Sequence, residues 1–588
     1  MAGALEHAGG RLSKRRFAHI IGAALMVAAS AATLGFNCFT VTRILHARTR
    51  VPWLDEWAMI QEFILYKRGS PLFPILWSSY WGHRLVIPRL VFFANLQWAS
   101  GRSLTWLTLA LQSIHIALLC TLSWVLIGAR SRTLFAVSVI VILNLMLSPL
   151  QMENFVWNMQ FMFPLVYAAS SVAFLCLSLS RDNYRFLLLC FVAAAVASYT
   201  MPNGLLVWPL LVAQAIYLKL KRRVTIAIAL LGAALLASYC WHYPIPPLGL
   251  GIFGMLRYPV DAAMLVGLLL GAALNSISLR LGVAVTILAL AGAVYMGASA
   301  LRDRSLQQSW LSALAAIVVF LFLSAASIVA GRLTPQWLVD NTTVPSRYYT
   351  LIQSFWAALS ILVLYTFSQT RRSLVLAGFY SALYLCLMFF HPRMQKIAAE
   401  DWSDFIRGTD AVGAALIVDA PDEKLLSVLW PLKPQREDIV AFLRQEHRAF
   451  MAEPRAAWPG RHVSELFPPA GPDRCIGGVE RTLPLMDSAA ASSWRIEGWA
   501  WDTSANRGLD YLLIAEPAGL VVGIARGGFR HRYFPGFFTD IPVVPANHMR
   551  FPASEWLGYV RQPVKSPWTV YGLMPHMDRI CIIEEESK

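Results

Sequence analysis

The sequence predicts a polytopic α-helical membrane protein, with about eleven transmembrane helices, that carries a largely β C-terminal domain. Three observations lead there. Apolar residues fill 57% of the 588 positions and charged residues only 14%, at a mean hydropathy of +0.53, whereas soluble domains run nearer a quarter charged. Long uncharged runs recur as far as about residue 391, and from about Cys475 they give way to short runs punctuated by Gly, Pro and Asn. Length alone would allow three or four ordinary domains, but a soluble chain of this make-up would expose large apolar patches. A water-soluble enzyme is therefore excluded, as are disordered, collagen-like and nucleic-acid-binding architectures.

The net charge of +16 is unevenly placed. Residues 1–391 hold 28 Lys+Arg and 9 Asp+Glu, a balance of +19, and residues 392–588 hold 22 and 25, a balance of −3. The basic excess thus belongs to the membrane half, where it reads as topology and contact with lipid phosphate.

The first element is a basic cluster, Arg11, Lys14, Arg15 and Arg16, followed by an apolar run from Phe17 to Val41. Small residues at Ala28–Ala32 resemble a signal-peptide cleavage site. The run is nevertheless long enough to cross ~30 Å of hydrocarbon, and further runs follow it. These lie at about 104–128, 133–149, 161–180, 186–201, 204–220, 224–241, 281–301, 309–330, 348–369 and 373–391. The connectors holding Arg130 and Arg132, Arg181 and Arg185, Lys219 to Arg223, Arg302 and Arg304, and Arg371 and Arg372 alternate along the chain. All five then share a side with the N-terminal cluster, the positive-inside pattern. It predicts a cytoplasmic N-terminus and places the C-terminal region on the outer side of the membrane. The apolar stretch 248–277 follows Pro244, Pro246 and Pro247 and contains Arg257 and Asp261, so it is expected to lie at the interface or re-enter rather than span.

Three regions result: a membrane domain over 1–391 with a first outer loop at about 44–102, a mixed segment over 392–474 with helical pieces, and a sandwich-like β domain over 475–588. The β reading rests on Trp494–Asp502, Tyr511–Ile514 and Gly519–Ile524, short runs at sandwich spacing. Six of the eight cysteines lie in or beside apolar runs and read as packing residues. Cys475 and Cys581 stand apart in the tail. They form either a disulfide, which an oxidising periplasm permits, or two unpaired thiols.

Carboxylates are scarce in the membrane half. Glu6, Asp182 and Asp303 fall on the expected cytoplasmic side, and Asp55, Glu56, Glu62, Glu153, Asp261 and Asp340 on or near the outer one. The first outer loop runs Val51-Pro-Trp-Leu-Asp55-Glu56-Trp57, then Tyr80-Trp-Gly-His83-Arg84 to Arg89. The second offers Glu153, Asn154 and Asn158, the next turn Pro202-Asn203-Gly204, and a late loop Pro345-Ser-Arg347-Tyr348. Each has a plain structural reading as a helix cap, a turn or a snorkelling cation. Together they collect acids, amides, aromatics and arginines on one face. Guanidinium groups grip phosphate oxygens in pairs, aromatic rings favour the interface and pack on sugar rings, and a carboxylate accepts a proton from an attacking hydroxyl.

An acidic pair just after the first span of a multi-span chain, with a Ser-Arg-Tyr segment before a late span, resembles the GT-C glycosyltransferase superfamily. The nearer likeness is to its bacterial family 39-like branch and the protein O-mannosyltransferases. The resemblance implies a polyprenyl-phosphate sugar donor, transfer to a cell-envelope glycan or lipid at the outer face, Asp55 as base and Glu56 beside it in the site. Arg84, Arg89 and Arg347 are expected at the donor phosphate, with His83, Glu153, Asn154, Asn203 and Tyr348 lining the substrate pocket. Phosphate leaves as a stabilised anion, so one carboxylate suffices where sugar-to-sugar hydrolysis needs two. No motif demands a cofactor; a divalent metal at His83 and Asp55 is the remaining candidate, weighed against a hydrogen-bonded structural His83. Gly249-Leu-Gly-Ile-Phe-Gly254 matches a dinucleotide fingerprint but follows prolines rather than a strand. The expected partners are the lipid-linked donor, its acceptor and membrane lipids, not nucleic acid. A flippase or transporter for a lipid-linked glycan, a glycan polymerase and a non-catalytic envelope protein are the alternatives.

Overall fold

The computed structural model describes residues 2–243 except Asp182, 251–272, a few positions between 280 and 294, 308–332, 344–369, 392–468, 475–530 except 488 and 489, 551–561, 567–574 and 579–583. The expected span 373–391, most of 281–301, Pro244 to Gly249, Asp303, Asp340, Arg302, Arg304, Arg371, Arg372 and Cys386 lie outside the described residues.

The membrane half begins with α1 (Ala2–His46), whose part from Ile21 is apolar enough to span. A segment of short helices follows: α2 (Asp55–Lys67), α3 (Leu72–Trp77) and α4 (Val86–Ala99). Then come α5 (Thr105–Ser123), α6 (Arg132–Met146), the single-turn α7 (Met152–Val156), α8 (Met162–Leu179), α9 (Arg185–Thr200), α10 (Val207–Tyr217) and α11 (Arg222–Cys240). Among the described residues seven helical segments are long and apolar enough to cross a membrane: 21–46, 105–128, 132–156, 158–179, 222–240, 309–331 and 346–368. They coincide with seven of the eleven expected runs. Two more of the eleven are helices of only 16 and 11 residues, α9 and α10, which at 1.5 Å per residue reach ~24 and ~17 Å. The described residues thus confirm seven spans and not the full count of eleven, since 373–391 and most of 281–301 lie outside them. The stretch 248–277 holds two short helices, α12 (Gly251–Arg257) and α13 (Pro259–Leu270), broken at Tyr258 before a proline. Neither is long enough to span.

These runs are helical because an uncharged chain in hydrocarbon must pair its own backbone groups. Polar caps end them: the Ser131 hydroxyl accepts from the Leu134 N–H at 3.3 Å to start α6. At Gly204 a Cβ would meet the Ala197 carbonyl at 1.9 Å, so the turn between α9 and α10 folds back tightly only with glycine. Helix α8 is the centre of the bundle, enclosed by α5, α9, α14 (Gln308–Arg332) and α15 (Tyr349–Ser368). Tyr167, Phe174, Phe320 and Phe355 fill the space between them.

Contacts mark the two ends of the bundle: Lys221 lies over the Tyr184 ring and Arg130 over the Tyr365 ring at one, and the segments 47–104, 149–161 and 344–348 are joined through Glu56–Asn158 and Glu153–Arg347 at the other. The C-terminal half caps that second end. Its helices α16 (Pro392–Ile417), α17 (Glu423–Leu429), α18 (Lys433–Gln445) and α19 (Val463–Leu466) pack with α2 and α4 into a second core around Trp57, Phe63, Phe155, Phe161 and Phe450. The Leu54 N–H donates to the Leu429 carbonyl at 3.0 Å, and the Ala449 N–H to the Ser100 carbonyl at 2.7 Å.

The tail forms one antiparallel sheet: β1 (Cys475–Asp487), β2 (Ala490–Asp502), β3 (Arg507–Gly508), β4 (Tyr511–Ala515), β5 (Val521–Phe529), β6 (Glu555–Val560), β7 (Thr569–Leu573) and β8 (Ile580–Ile582). The strand order is β1-β2-β6-β5-β4-β7-β8, with β3 on β2. This corrects the sandwich expectation: the described strands make a single half-barrel instead of two stacked sheets. One face lies on α16; the other holds Ile496, Leu512, Ile514, Ala525 and Val560. The curl has a covalent mark. Cys475 on edge strand β1 is disulfide-bonded to Cys581 on the opposite edge strand β8, with Cα atoms 5.9 Å apart. A flat sheet would hold those edges several strand widths apart. Replacing both cysteines by alanine is expected to cost about 2–4 kcal/mol by freeing a long loop, read as a lower unfolding midpoint that reductant lowers in the native protein but not in the variant.

Candidate functional site

Apart from Asn203, the residues expected to act lie in the segments at the capped end of the bundle, in three groups with different occupations.

The first group surrounds Asp55, the first residue of α2. The chain enters this helix through Leu54 at φ 43°, a value disfavoured for a residue with a Cβ. Asp55 is half-buried, and the Tyr80 hydroxyl donates to its Oδ1 at 2.7 Å. Burial first, then the neighbouring Asp55 charge, pushes the Tyr80 phenol far above its ordinary range. Tyr80 therefore stays a protonated donor. It pairs with His83 in a tight hairpin, and that pairing is how His83 enters the site.

Glu56, the next residue, is 3% exposed. Its oxygens accept from the Asn158 backbone N–H at 3.0 Å and the Asn158 Nδ2 at 3.4 Å, and Asn158 Oδ1 accepts from the Leu104 N–H at 2.8 Å. Glu56 thus fastens α2 to the second loop and the start of α5. The resemblance placed it beside Asp55 in the site; here its oxygens are engaged by Asn158. Beside it lies a cavity of about 10 Å³ reached by Arg50, Asn95 and Asn158, room for about one water molecule. Burial pushes the Glu56 carboxyl up to about 8, against the lowering effect of Asn158 and with a smaller push from Asp55. The folded protein then holds this proton between about pH 4.5 and 8 while the unfolded chain loses it, so stability falls as pH rises through that window. Glu56→Gln is expected to flatten the slope and raise the unfolding midpoint at pH 8 by a few degrees. A wild-type slope surviving in this variant would assign the titration to another group.

The second group is the pair expected to hold phosphate in the first loop, and here the expectation is corrected. The Arg84 Nε donates to the Tyr239 carbonyl at 2.6 Å, and its other nitrogens reach the Trp77 and Trp241 carbonyls. The Arg84 guanidinium thus closes the end of α11. Arg89 is wholly buried; Nε and Nη2 each meet a Glu62 oxygen at 2.7 Å, and Nη1 donates to the Ser78 carbonyl at 2.6 Å. Both are structural cations here.

The third group joins the second loop to the late one. The Glu153 carboxylate, 3% exposed, accepts from the Arg347 backbone N–H at 2.9 Å and from Arg347 Nη1 at 3.2 Å. Asn154 Nδ2 donates to the Arg347 carbonyl at 2.8 Å and to Thr350 Oγ1 at 2.6 Å. The Arg347 side chain remains 39% exposed, lying over the buried Tyr348 ring. Asn203 sits apart, donating to Ser324 of α14 at 3.1 Å. An aromatic wall connects the first and third groups. Trp53, two residues before Asp55, packs on Trp157 with centroids 4.4 Å apart, and the Trp157 N–H closes on the Glu153 carbonyl at 3.0 Å.

Among the described residues no three His, Cys, Asp or Glu side chains gather closely enough to share a metal ion. Sequence reasoning missed Tyr80 as the donor to Asp55, Asn158 as the partner of Glu56, and a buried polar file inside the bundle. In that file Thr350 donates to Gln151 Oε1 at 2.6 Å, Gln151 and Gln112 both donate to the Met146 carbonyl, and His115, one turn deeper on α5, lies 3.2 Å from the Ser171 hydroxyl. A charge scan passes over amides, and His115 is a lone histidine in an uncharged run. No protein family, curated protein or solved structure matches this chain.

Proposed function

We propose that this chain is an integral-membrane glycosyltransferase, moving a sugar from a polyprenyl-phosphate donor to a glycan or lipid acceptor of the cell envelope. In this reading the reaction takes place at the outer face of the inner membrane. Asp55 accepts the proton of the acceptor hydroxyl as its oxygen forms a bond to the anomeric carbon. The bond from that carbon to the phosphate oxygen breaks, the configuration inverts, and the phosphate leaves with its electron pair. Arg347 meets the growing phosphate charge, and the Glu153 carboxylate and Tyr348 ring hold it in place. Arg84, Arg89 and Glu56 have supporting parts only.

One observation carries the reading: the contrast between the acids at the capped end. Glu56 and Glu153 are buried with named partners, while Asp55 keeps partial exposure and is oriented by a phenolic donor. An oriented, partly exposed carboxylate suits removal of the acceptor proton, and the 39% exposed Arg347 side chain is the guanidinium this reading assigns to the departing phosphate. The test is to incubate the purified protein with a panel of radiolabelled polyprenyl-phosphate sugars and envelope extract. Time-dependent loss of one donor with label in a new product is the expected result. A panel wholly intact after long incubation, with folded protein, overturns it.

The buried polar file favours a second reading, translocation of a lipid-linked glycan. Amides and a histidine within an apolar bundle are costly there and mark paths in many transporters. Movement of the labelled lipid across a proteoliposome bilayer without sugar transfer would select that reading instead.

A further inference from the structure

Trp81 occupies a backbone position that suits it poorly. Tyr80 and His83 exchange both of their backbone hydrogen bonds at 2.9 Å, and the two residues between them, Trp81 and Gly82, have φ of 47° and 75°. Two-residue hairpins with positive φ at both central positions take Asn, Asp or Gly there, because a larger side chain crowds its own carbonyl. Gly82 meets the requirement and Trp81 does not. The surroundings impose the shape: the Tyr243 hydroxyl donates to the Gly82 carbonyl, and Arg84, directly after the hairpin, is anchored on Tyr239 and Trp241.

Packing does not explain the residue. Trp81 is 65% exposed, so little of its indole is buried in return for the strain. The side chain is within hydrogen-bonding reach of the Tyr80 hydroxyl, the same hydroxyl that donates to Asp55. Strained backbone that neighbouring contacts hold in place concentrates at functional sites. Here it presents a broad aromatic face one residue from the group that orients the half-buried carboxylate.

We infer that Trp81 is a binding platform for a pyranose ring, the apolar C–H face of the sugar lying on the indole with its hydroxyls toward Tyr80, His83 and Asp55. The inference rests on the glycosyl-transfer reading and names a residue that recognises the sugar. An exposed indole at a membrane boundary also suits lipid headgroups, and the test separates the two.

The experiment compares wild type with Trp81→Asn and Trp81→Phe in the full-length protein. Three quantities are read: the thermal midpoint, saturation-transfer NMR to a panel of methyl hexopyranosides, and KM for a consumed polyprenyl-phosphate sugar. Asparagine accepts positive φ, so Trp81→Asn is expected to fold with an equal or higher midpoint while glycoside saturation transfer falls at least tenfold and KM rises by a similar factor. Trp81→Phe is expected to keep most of the binding. A lowered midpoint in Trp81→Asn, unchanged glycoside binding and KM, or a defect confined to reconstitution into vesicles each overturns the proposal, the last by making Trp81 a lipid anchor. No saturation transfer to any glycoside in wild type overturns it as well. Trp81-dependent glycoside binding without donor consumption would instead leave the platform standing and remove the transfer reaction.

Discussion

Replacing Arg455 by methionine is expected to cost about 3–5 kcal/mol, enough to loosen the β half-barrel from the membrane bundle. The reason is the company Asp410 keeps. Its Oδ1 accepts from Arg455 Nη2 and, at 3.3 Å, from the Thr49 hydroxyl just beyond the first span; its Oδ2 accepts from the Tyr511 hydroxyl at 2.8 Å and faces Arg526 Nε at 3.3 Å. The Tyr511 ring lies against both guanidiniums, 4.3 Å from Arg526 and 5.2 Å from Arg455. Arg455 reaches on to Glu453, and Glu453 to Arg50. One buried cluster thus ties the end of α1, helix α16, the 453–455 turn and strands β4 and β5.

Burial alone would push Asp410 up; Arg455 and Arg526 overcome it and hold the carboxyl below its ordinary range. The stabilisation is therefore present above the ordinary carboxylate range and is lost as pH falls through the lowered folded value. Removing one arginine leaves a buried carboxylate short of charge, and that orphan explains most of the expected loss. A double variant, Asp410→Leu with Arg455→Met, removes the orphan with its partner and should recover much of the stability. Denaturant unfolding followed by tryptophan fluorescence measures both. If the single and double variants lose equally, coupling between the two residues is absent and the cluster is not what fastens the two halves.

What could be read in the sequence was whatever depends on near neighbours along the chain. An uncharged run of about twenty residues has few options in a bilayer, so the seven spans can be picked out from hydropathy alone. The β texture after Cys475 was legible for a similar reason, whereas the Cys475–Cys581 bond, closing 106 residues, was one of two readings the sequence left open. What failed depends on distant partners. Arg84 finds carbonyls more than 150 residues away, at Tyr239 and Trp241, and Glu56 finds Asn158 about a hundred residues on. A sequence shows that such side chains are able to bind phosphate or protons. It does not show that another part of the fold already occupies them. The half-barrel was hidden in the same way, since strands of a sandwich and of one curled sheet carry the same alternation. Even the aspartate–glutamate pair, adjacent in sequence, is split by the helix: Asp55 keeps partial exposure and Glu56 turns to the interior.

That split sets the outcome of changing Asp55. Asp55→Asn keeps the size and an acceptor for the Tyr80 hydroxyl but cannot take up a proton. Transfer from the polyprenyl-phosphate sugar is expected to fall about 10²- to 10⁴-fold, the usual worth of a positioned general base, with KM for the donor little changed. Tyr80→Phe removes only the orienting donor, and a smaller loss in kcat is expected. In the proposed reaction Arg347 meets the phosphate, so the effect of Arg347→Gln should include KM for the donor. Glu56→Gln should leave kcat near wild type, because its carboxyl serves Asn158 and the fold. This ordering comes from where each side chain sits, and initial rates of label transfer at saturating and limiting donor measure all four. An Asp55→Asn protein that transfers at the wild-type rate would show that the proton leaves by another route. If Glu56→Gln instead shows the large fall in kcat while its unfolding midpoint is unchanged, the buried member of the pair is the base, and α2 must turn during the reaction to expose it.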